Sequence, residues 1–199
     1  MGPLDPRVLL ARAVDQTADL VAHADDQQAH LHTPCRSWNV RTLIEHLIDD
    51  LDQFTKAAVG GSPDWSGPVP PMAGQWGNAF RDRAPLLLAA WQEADDLTAI
   101  IQLPIGDLPA AFVVDQQIAE FAVHSWDLAS ATGQNYVPDP DVASHALQWA
   151  RTALLPQYRG TEESEFAFGP EVATADEQPA SARLVAFFGR DPAWHQLIR

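Results

Sequence analysis

Glu120 and His124 are the residues whose types and spacing most directly predict metal chemistry in this sequence. They lie four residues apart in the segment Glu-Phe-Ala-Val-His. On an α-helix this spacing places both side chains on one face, about one turn apart, where both can reach the same ion. The pair therefore predicts part of a helical metal site.

A third ligand is predicted at His46, which lies in the mostly apolar stretch of residues 43–48. An imidazole that faces a core needs a partner, and a metal ion would be one. Two histidines and one carboxylate leave a coordination position open for water or substrate, as in catalytic zinc sites. These ligands suit Zn²⁺, and Ni²⁺, Fe²⁺ and Mn²⁺ stay compatible. A hydrogen-bonded core histidine remains the alternative.

Two carboxylates could orient the histidines through their second ring nitrogens. Asp127 follows His124 by three residues, and Asp50 follows His46 by four. For Asp127, beside Trp126, a hydrogen bond to the histidine, a purely structural hydrogen bond and a solvent-facing position are all open. Asp50 is expected on the surface.

Other reactive residues are given simpler interpretations. Cys35, beside Arg36 and before a helix, could have a lowered thiol pKa, but no His/Asn arrangement accompanies it, so we predict buried packing. The sequence contains no G-x-S-x-G, P-loop, dinucleotide fingerprint or H-E-x-x-H. The remaining histidines are expected at the surface: His23, His30, His32, His145 and His195.

Composition excludes several classes of partner. Twelve basic against 27 acidic residues give a formal charge of −15, which disfavours nucleic acids and anionic lipid surfaces. The single cysteine excludes an intramolecular disulfide and an all-cysteine metal site. The N-terminus does not resemble a secretory signal, and no apolar run approaches about twenty residues. We expect a cytoplasmic protein.

Apolar periodicity predicts the helices that must position these residues. The first runs from Pro6 to about Ala29. Ser37 is predicted to cap the second, which continues through Phe54 and ends near Gly60-Gly61. Residues 60–77, rich in Pro and Gly, are predicted as a loop. The third helix is predicted through residues 80–101, with a kink at Pro85.

The second half of the chain is predicted to contain two more long helices and a short tail. Asp107 is predicted to cap a helix from about Leu108 to Thr132 that stops at Gly133. Asp139 and Pro140 predict the start of a fifth helix that ends at Pro156. In the tail, residues 165–168 alternate like a strand, residues 169–179 are rich in turn formers, and residues 181–188 predict a short helix before Gly189.

These elements predict a mainly all-α four-helix bundle with an additional helix and a short α/β C-terminal tail. The bundle with its fifth helix would occupy residues 1–156. The tail, residues 157–199, would pack on it as an extension.

A family resemblance rests on three groups of residues: Thr33-Pro34-Cys35, Trp38, Val40, Leu43 and His46; the stretch 120–129 with Ala131-Thr132-Gly133-Gln134; and Gly189-Arg190-Asp191-Pro192. Together they resemble the actinobacterial metal-binding branch of the DinB-like superfamily, related to mycothiol-dependent maleylpyruvate isomerase. The resemblance implies a four-helix bundle whose metal ligands fall on His46, Glu120 and His124, with water completing zinc coordination.

The resemblance also implies a thiol-dependent transferase or isomerase, in which the metal activates a low-molecular-weight thiol such as mycothiol toward a small electrophile. The expected partners are this substrate and the thiol cosubstrate, in a monomer or homodimer. The isomerase has a larger C-terminal domain with an arginine for the substrate carboxylates. Arg183 and Arg190 lie in the short tail here, and neither aligns with that role, so maleylpyruvate is a doubtful substrate.

Two further interpretations stay open. A non-catalytic metal protein would use the ion to join helices or as a sensor, and a fourth protein ligand such as Asp50 or Asp127 would favour it. A bundle without metal could bind an apolar ligand or dimerise, since seven tryptophans could line a pocket.

Overall fold

The computed structural model describes residues 4–35, 38–67, 69, 72, 74–94, 96–160 and 169–195. Within these ranges the chain forms six α-helices and one two-stranded sheet, so the prediction of a mainly all-α fold is confirmed. The four long helices are α1 (Pro6–Ala22), α2 (Val40–Ala58), α3 (Trp76–Glu93) and α4 (Ala110–Thr132). Helix α1 packs on α3 and α4, and α2 packs on the same two helices.

Helix α1 is shorter than predicted. It begins where Asp5 accepts a hydrogen bond from the backbone N–H of Arg7, and it ends at Ala22 instead of about Ala29. Asp25 then caps a separate 3-10 turn, Asp26–Gln28, by a reciprocal capping box with Gln28. This second cap gives the backbone an alternative to continuing the helix, which explains the error.

Helix α2 buries one apolar face and carries His46 near its middle. Its N-cap is Asn39, whose side-chain oxygen accepts from the Thr42 N–H at 2.9 Å. The predicted cap, Ser37, lies outside the described residues, and the capping role assigned to it is wrong. The helix ends at Ala58, close to the predicted stop at Gly60.

Helix α3 runs through Pro85, which lies inside it as predicted, but it ends at Glu93 instead of Ile101. The residues that follow form a hairpin of β1 (Ile100–Leu103) and β2 (Gly106–Pro109), paired antiparallel. Ile101 and Leu103 point into the core, whereas their neighbours are exposed. The predicted Asp107 cap and Leu108 start are therefore wrong, because both residues belong to β2.

Helix α4 begins at Ala110 and ends at Gly133, whose φ of +70° gives the predicted left-handed stop. It packs against α1, α2 and α5, and most of its residues are buried. This helix carries Glu120, His124 and Asp127. Its central position places these polar groups inside the bundle.

The remaining helices cover α4 from the outside. Helix α5 (Pro140–Ala153) starts as predicted, with Asp139 accepting from two backbone N–H groups. Helix α6 (Ala180–Phe187) packs on α5 and α4, and Leu184 and Phe187 join the core. The predicted strand at 165–168 lies outside the described residues, and the division at residue 156 stays a prediction. Among the described residues, no helix is long and apolar enough to span a membrane.

Candidate metal centre

The structure brings the three predicted ligands together. One ligand atom from each of His46, Glu120 and His124 lies within 4.8 Å of the other two. His46 comes from α2, and the other two come from α4. A single ion between the two helices could therefore contact all three side chains.

Helical spacing sets the geometry of the α4 pair, as the sequence predicts. His124 Nε2 lies 3.3 Å from Glu120 Oε2. His124 is buried, and Glu120 is half-buried. Burial raises the pKa of Glu120, but the hydrogen bond and charge of His124, with smaller effects of His46 and Arg190, outweigh burial and lower it. The carboxylate form, which is the ligand form, is therefore favoured.

His46 presents a buried nitrogen that lacks a hydrogen bond. Its Nε2 lies 3.2 Å from Asp50 Oδ2, but the angles do not meet hydrogen-bond geometry, so the nitrogen has no hydrogen-bond partner in the described part of the chain. Burial and the positive charge of His124 lower the pKa of His46 to about 4. A neutral imidazole with an unpartnered nitrogen suits a metal ion, since metals bind the unprotonated ring.

His124 is held from its other side by Asp127. Its Nδ1 lies 2.9 Å from Asp127 Oδ2, which leaves Nε2 directed toward Glu120. Burial lowers the pKa of His124, but hydrogen bonds to Asp127 and Glu120 and their charges prevail and raise it to about 9. A carboxylate on the second nitrogen is the usual companion of a metal-binding histidine.

Arg190 binds both oxygens of the Asp127 carboxylate. Arg190 Nη2 donates to Oδ2 at 3.0 Å, and Nε donates to Oδ1 at 3.3 Å. Burial alone would raise the pKa of Asp127, but the Arg190 charge and the bond to His124 lower it. Sequence reasoning placed Arg190 in the tail without a role, because the two residues are 63 positions apart.

Asp50 is buried, with only 3% of its surface exposed, so its predicted surface position is wrong. Its Oδ1 accepts a hydrogen bond from Trp65 Nε1 at 2.8 Å. Trp65 belongs to the loop after α2 and packs edge-on against Phe54 at 5.2 Å. The loop thus covers the carboxylate, and burial with the nearby charge of Glu120 raises the pKa of Asp50 well above its usual value.

Trp38 is a site residue that the sequence analysis quoted but gave no role. Its ring centroid lies 4.5 Å from that of His46 and 5.4 Å from that of His124. The two histidine rings meet edge-on at 5.3 Å. Trp38 therefore forms an aromatic wall beside both histidines, and its position just before the helix of His46 was the available signal.

The other predicted positions lie outside this cluster. Cys35 is half-buried and not in a disulfide. His145 was expected at the surface but is half-buried, with Nε2 2.7 Å from Asp115 Oδ1. The surface prediction is confirmed for the other four histidines, which are exposed: His23, His30, His32 and His195.

Comparison with known proteins identifies the family. The family model of the mycothiol maleylpyruvate isomerase N-terminal domain matches residues 10–129, more than half of the chain. The chain belongs to this family. The matched region includes all three clustered residues on α2 and α4 and ends before Arg190.

Two relatives are similar to this protein over nearly the whole chain. Two uncharacterised proteins, from two strains of Mycobacterium tuberculosis, are 31% identical over 189 residues, which cover 94% of this chain and 98% of each relative. The fold is that of family members of known structure. The crystal structure of a mycothiol-dependent maleylpyruvate isomerase matches 78% of this chain and 71% of its own, with 17% identity and a TM-score of 0.60. A histidine-to-alanine mutant of such an isomerase matches with a TM-score of 0.53.

Proposed function

We propose that this protein binds one divalent metal ion, with zinc the best match, through His46, Glu120 and His124. The observation that carries the proposal is the convergence of one ligand atom from each of the three residues within 4.8 Å; in addition, His46 Nε2 is buried without a hydrogen-bond partner among the described residues. Two imidazoles and one carboxylate are a donor set that zinc favours. Asp127 supports the same proposal, because its carboxylate lies within hydrogen-bond distance of Nδ1 of His124 and leaves Nε2 for the ion.

We further propose that the bound ion serves a thiol-dependent transferase or isomerase reaction on a small electrophile, with mycothiol as the thiol. A divalent cation would favour the thiolate form of a thiol near neutral pH and could polarise a substrate carbonyl. Membership of the isomerase family supports this reading. So does the ligand count, since three protein ligands leave room for a fourth group.

The chain's own residues would define the space around that fourth group. Trp38 provides an aromatic wall beside His46 and His124. Asp50 lies beside His46 Nε2, and Trp65 covers its outer oxygen. The side chains of Trp38 and Trp65 would limit the size of the electrophile and keep bulk water away from the ligands. Asp127 would not serve as a fourth ligand, because it binds Nδ1 of His124, whereas the other ring nitrogen, Nε2, lies toward Glu120.

Metal analysis of the purified protein tests the first part. Wild type should contain about one equivalent of zinc after reconstitution, and His46→Asn should contain none. His145→Asn is the matched control, because His145 also pairs with a carboxylate but lies outside the cluster. Equal zinc content in wild type and His46→Asn would refute the assignment.

Thiol binding tests the second part. Protein loaded with Co²⁺ should develop a sulfur-to-cobalt charge-transfer band when mycothiol is added, and it should transfer that thiol to a chromogenic electrophile. A chelator should abolish both signals, and fresh metal should restore them. Stoichiometric metal without a thiol band would favour a non-catalytic ion that joins α2 and α4. Absence of metal would instead favour a ligand-binding bundle.

A further inference from the structure

Arg190 is the least expected residue near the candidate centre, because it comes from the segment after α6. Only 8% of its surface is exposed. All three of its nitrogens donate: Nε and Nη2 donate to Asp127, and Nη1 donates to the carbonyl of Phe188 at 2.8 Å. Three of the five N–H groups of the guanidinium are therefore committed within the protein.

The backbone after α6 is shaped to deliver this side chain. Gly189 has a φ of +83°, and a Cβ there would lie 3.0 Å from Gly169 Cα and from the carbonyl oxygen of Pro170. The N–H of Arg190 donates to the carbonyl of Val185, which closes the end of α6. Only glycine fits this turn comfortably, and the turn sends the next residue inward.

Asp127 needs a permanent cation beside it. Its side chain is fully buried, and an uncompensated buried carboxylate is costly. Arginine stays charged at all relevant pH values and binds both oxygens of a carboxylate in a fixed plane. Arg190 therefore fixes the carboxylate as an acceptor, with Oδ2 aimed at His124 Nδ1.

We infer that Arg190 is a positioning residue of the metal centre: it holds Asp127 in the orientation that directs His124 Nε2 toward the ion. The inference rests on the proposed metal site, and it extends that site to a segment beyond residues 10–129, the range of the family match. The charge of Arg190 also contributes to the lowered pKa of Glu120, so it acts on both α4 ligands.

The test compares Arg190→Gln with Arg159→Gln. Arg159 holds the same C-terminal segment, since its Nη1 donates to the carbonyls of Phe187 and Gly169, and neither bond involves Asp127. Zinc affinity measured by chelator competition should fall about tenfold in Arg190→Gln, because Asp127 would lose its fixed orientation; removal of the group bonded directly to a metal-binding histidine costs about 10–100-fold. Arg159→Gln should bind zinc like wild type.

A second readout needs no metal. In the metal-free protein, the Nδ1 proton of His124 should give a slowly exchanging NMR resonance, because it bonds to a buried carboxylate. Arg190→Gln should broaden or lose this resonance, and Arg159→Gln should keep it. Arg190→Lys keeps the positive charge but loses the contact with both carboxylate oxygens. Its zinc affinity should lie between that of Arg190→Gln and that of wild type. If Arg190→Gln folds poorly, the affinity of Arg190→Lys should still lie below that of wild type.

The outcomes separate the two claims. Unchanged zinc affinity and an unchanged resonance in Arg190→Gln would overturn the inference. Equal losses in Arg190→Gln and Arg159→Gln would also overturn it, because Arg190 would then only fasten the tail. A wild type that binds no zinc but shows the expected resonance pattern would refute the proposed function and support the positioning role.

Discussion

Replacing Asp127 with asparagine measures how strongly the buried ion pair stabilises the fold. The carboxylate accepts bonds from Arg190 Nε and Nη2 and from His124 Nδ1. An amide has no charge, and its nitrogen cannot accept, so Arg190 would keep a buried charge without a counter-ion. Breaking a buried pair in this way costs about 3–5 kcal/mol. At roughly 2–4 °C per kcal/mol for a chain of this size, Tm should fall by roughly 6–20 °C.

Thermal denaturation followed by circular dichroism would measure this change, with chelator present so that no metal contributes. Asp52→Asn is the matched control: Asp52 also pairs with an arginine, at 2.8 Å, but the side chains of Asp52 and Arg83 are 42% and 31% exposed. An exposed pair contributes about 0–1 kcal/mol. If Tm decreases by the same amount in the two variants, burial does not strengthen the Asp127–Arg190 pair and the reasoning fails.

Three further predictions follow from the same structure. Zinc at a hundredfold excess over its Kd should stabilise wild type by about 2.7 kcal/mol and leave His46→Asn unchanged in a thermal melt; an equal response would place the ion elsewhere. Gly189→Ala should be more destabilising than Gly133→Ala, because both have a positive φ, costing about 1–2 kcal/mol, but only at Gly189 would the new Cβ meet backbone atoms. Burial raises the pKa of Tyr136 to about 12. In a Tyr158→Phe background, tyrosinate absorbance should therefore appear with a midpoint near 12. The pKa of Tyr136 is higher in the folded than in the unfolded state, so the protonated phenol contributes to stability below about pH 10, and this contribution is lost as the pH rises toward 12. A titration midpoint near 10 would contradict the prediction.

The sequence predicted the site best where one helix sets the geometry. The four-residue spacing of Glu120 and His124 determines that they share a face of α4, whatever surrounds them. His46 was predicted from its apolar neighbours, and α2 indeed brings it to the pair. That the three residues hold a metal remains a prediction.

The contact that covers Asp50 could not be predicted from helical spacing. Asp50 lies on the buried face of α2, and Trp65, 15 residues later in an irregular loop, donates to its Oδ1. Irregular loops have no periodicity from which such a contact can be inferred. The same limit applies to Arg190, whose contact with Asp127 depends on the path of the chain after α5.

The hairpin was missed for a different reason. The run Ile100–Leu103 continues the apolar pattern of α3, and short apolar runs fit a helix or a strand equally well. Gly106, with a φ of +127°, allows the tight reversal between β1 and β2. Tertiary packing of Ile101 and Leu103 then favours the strand.

The distance in sequence between Asp127 and Arg190 also constrains how the chain folds during synthesis. During synthesis Asp127 emerges 63 residues before its counter-ion. A nascent chain that has made α1 to α4 can collapse, but it must bury a carboxylate whose cation does not yet exist, or leave that part of α4 open to solvent. We therefore expect the bundle to close around His124 late in folding, after α6 has docked.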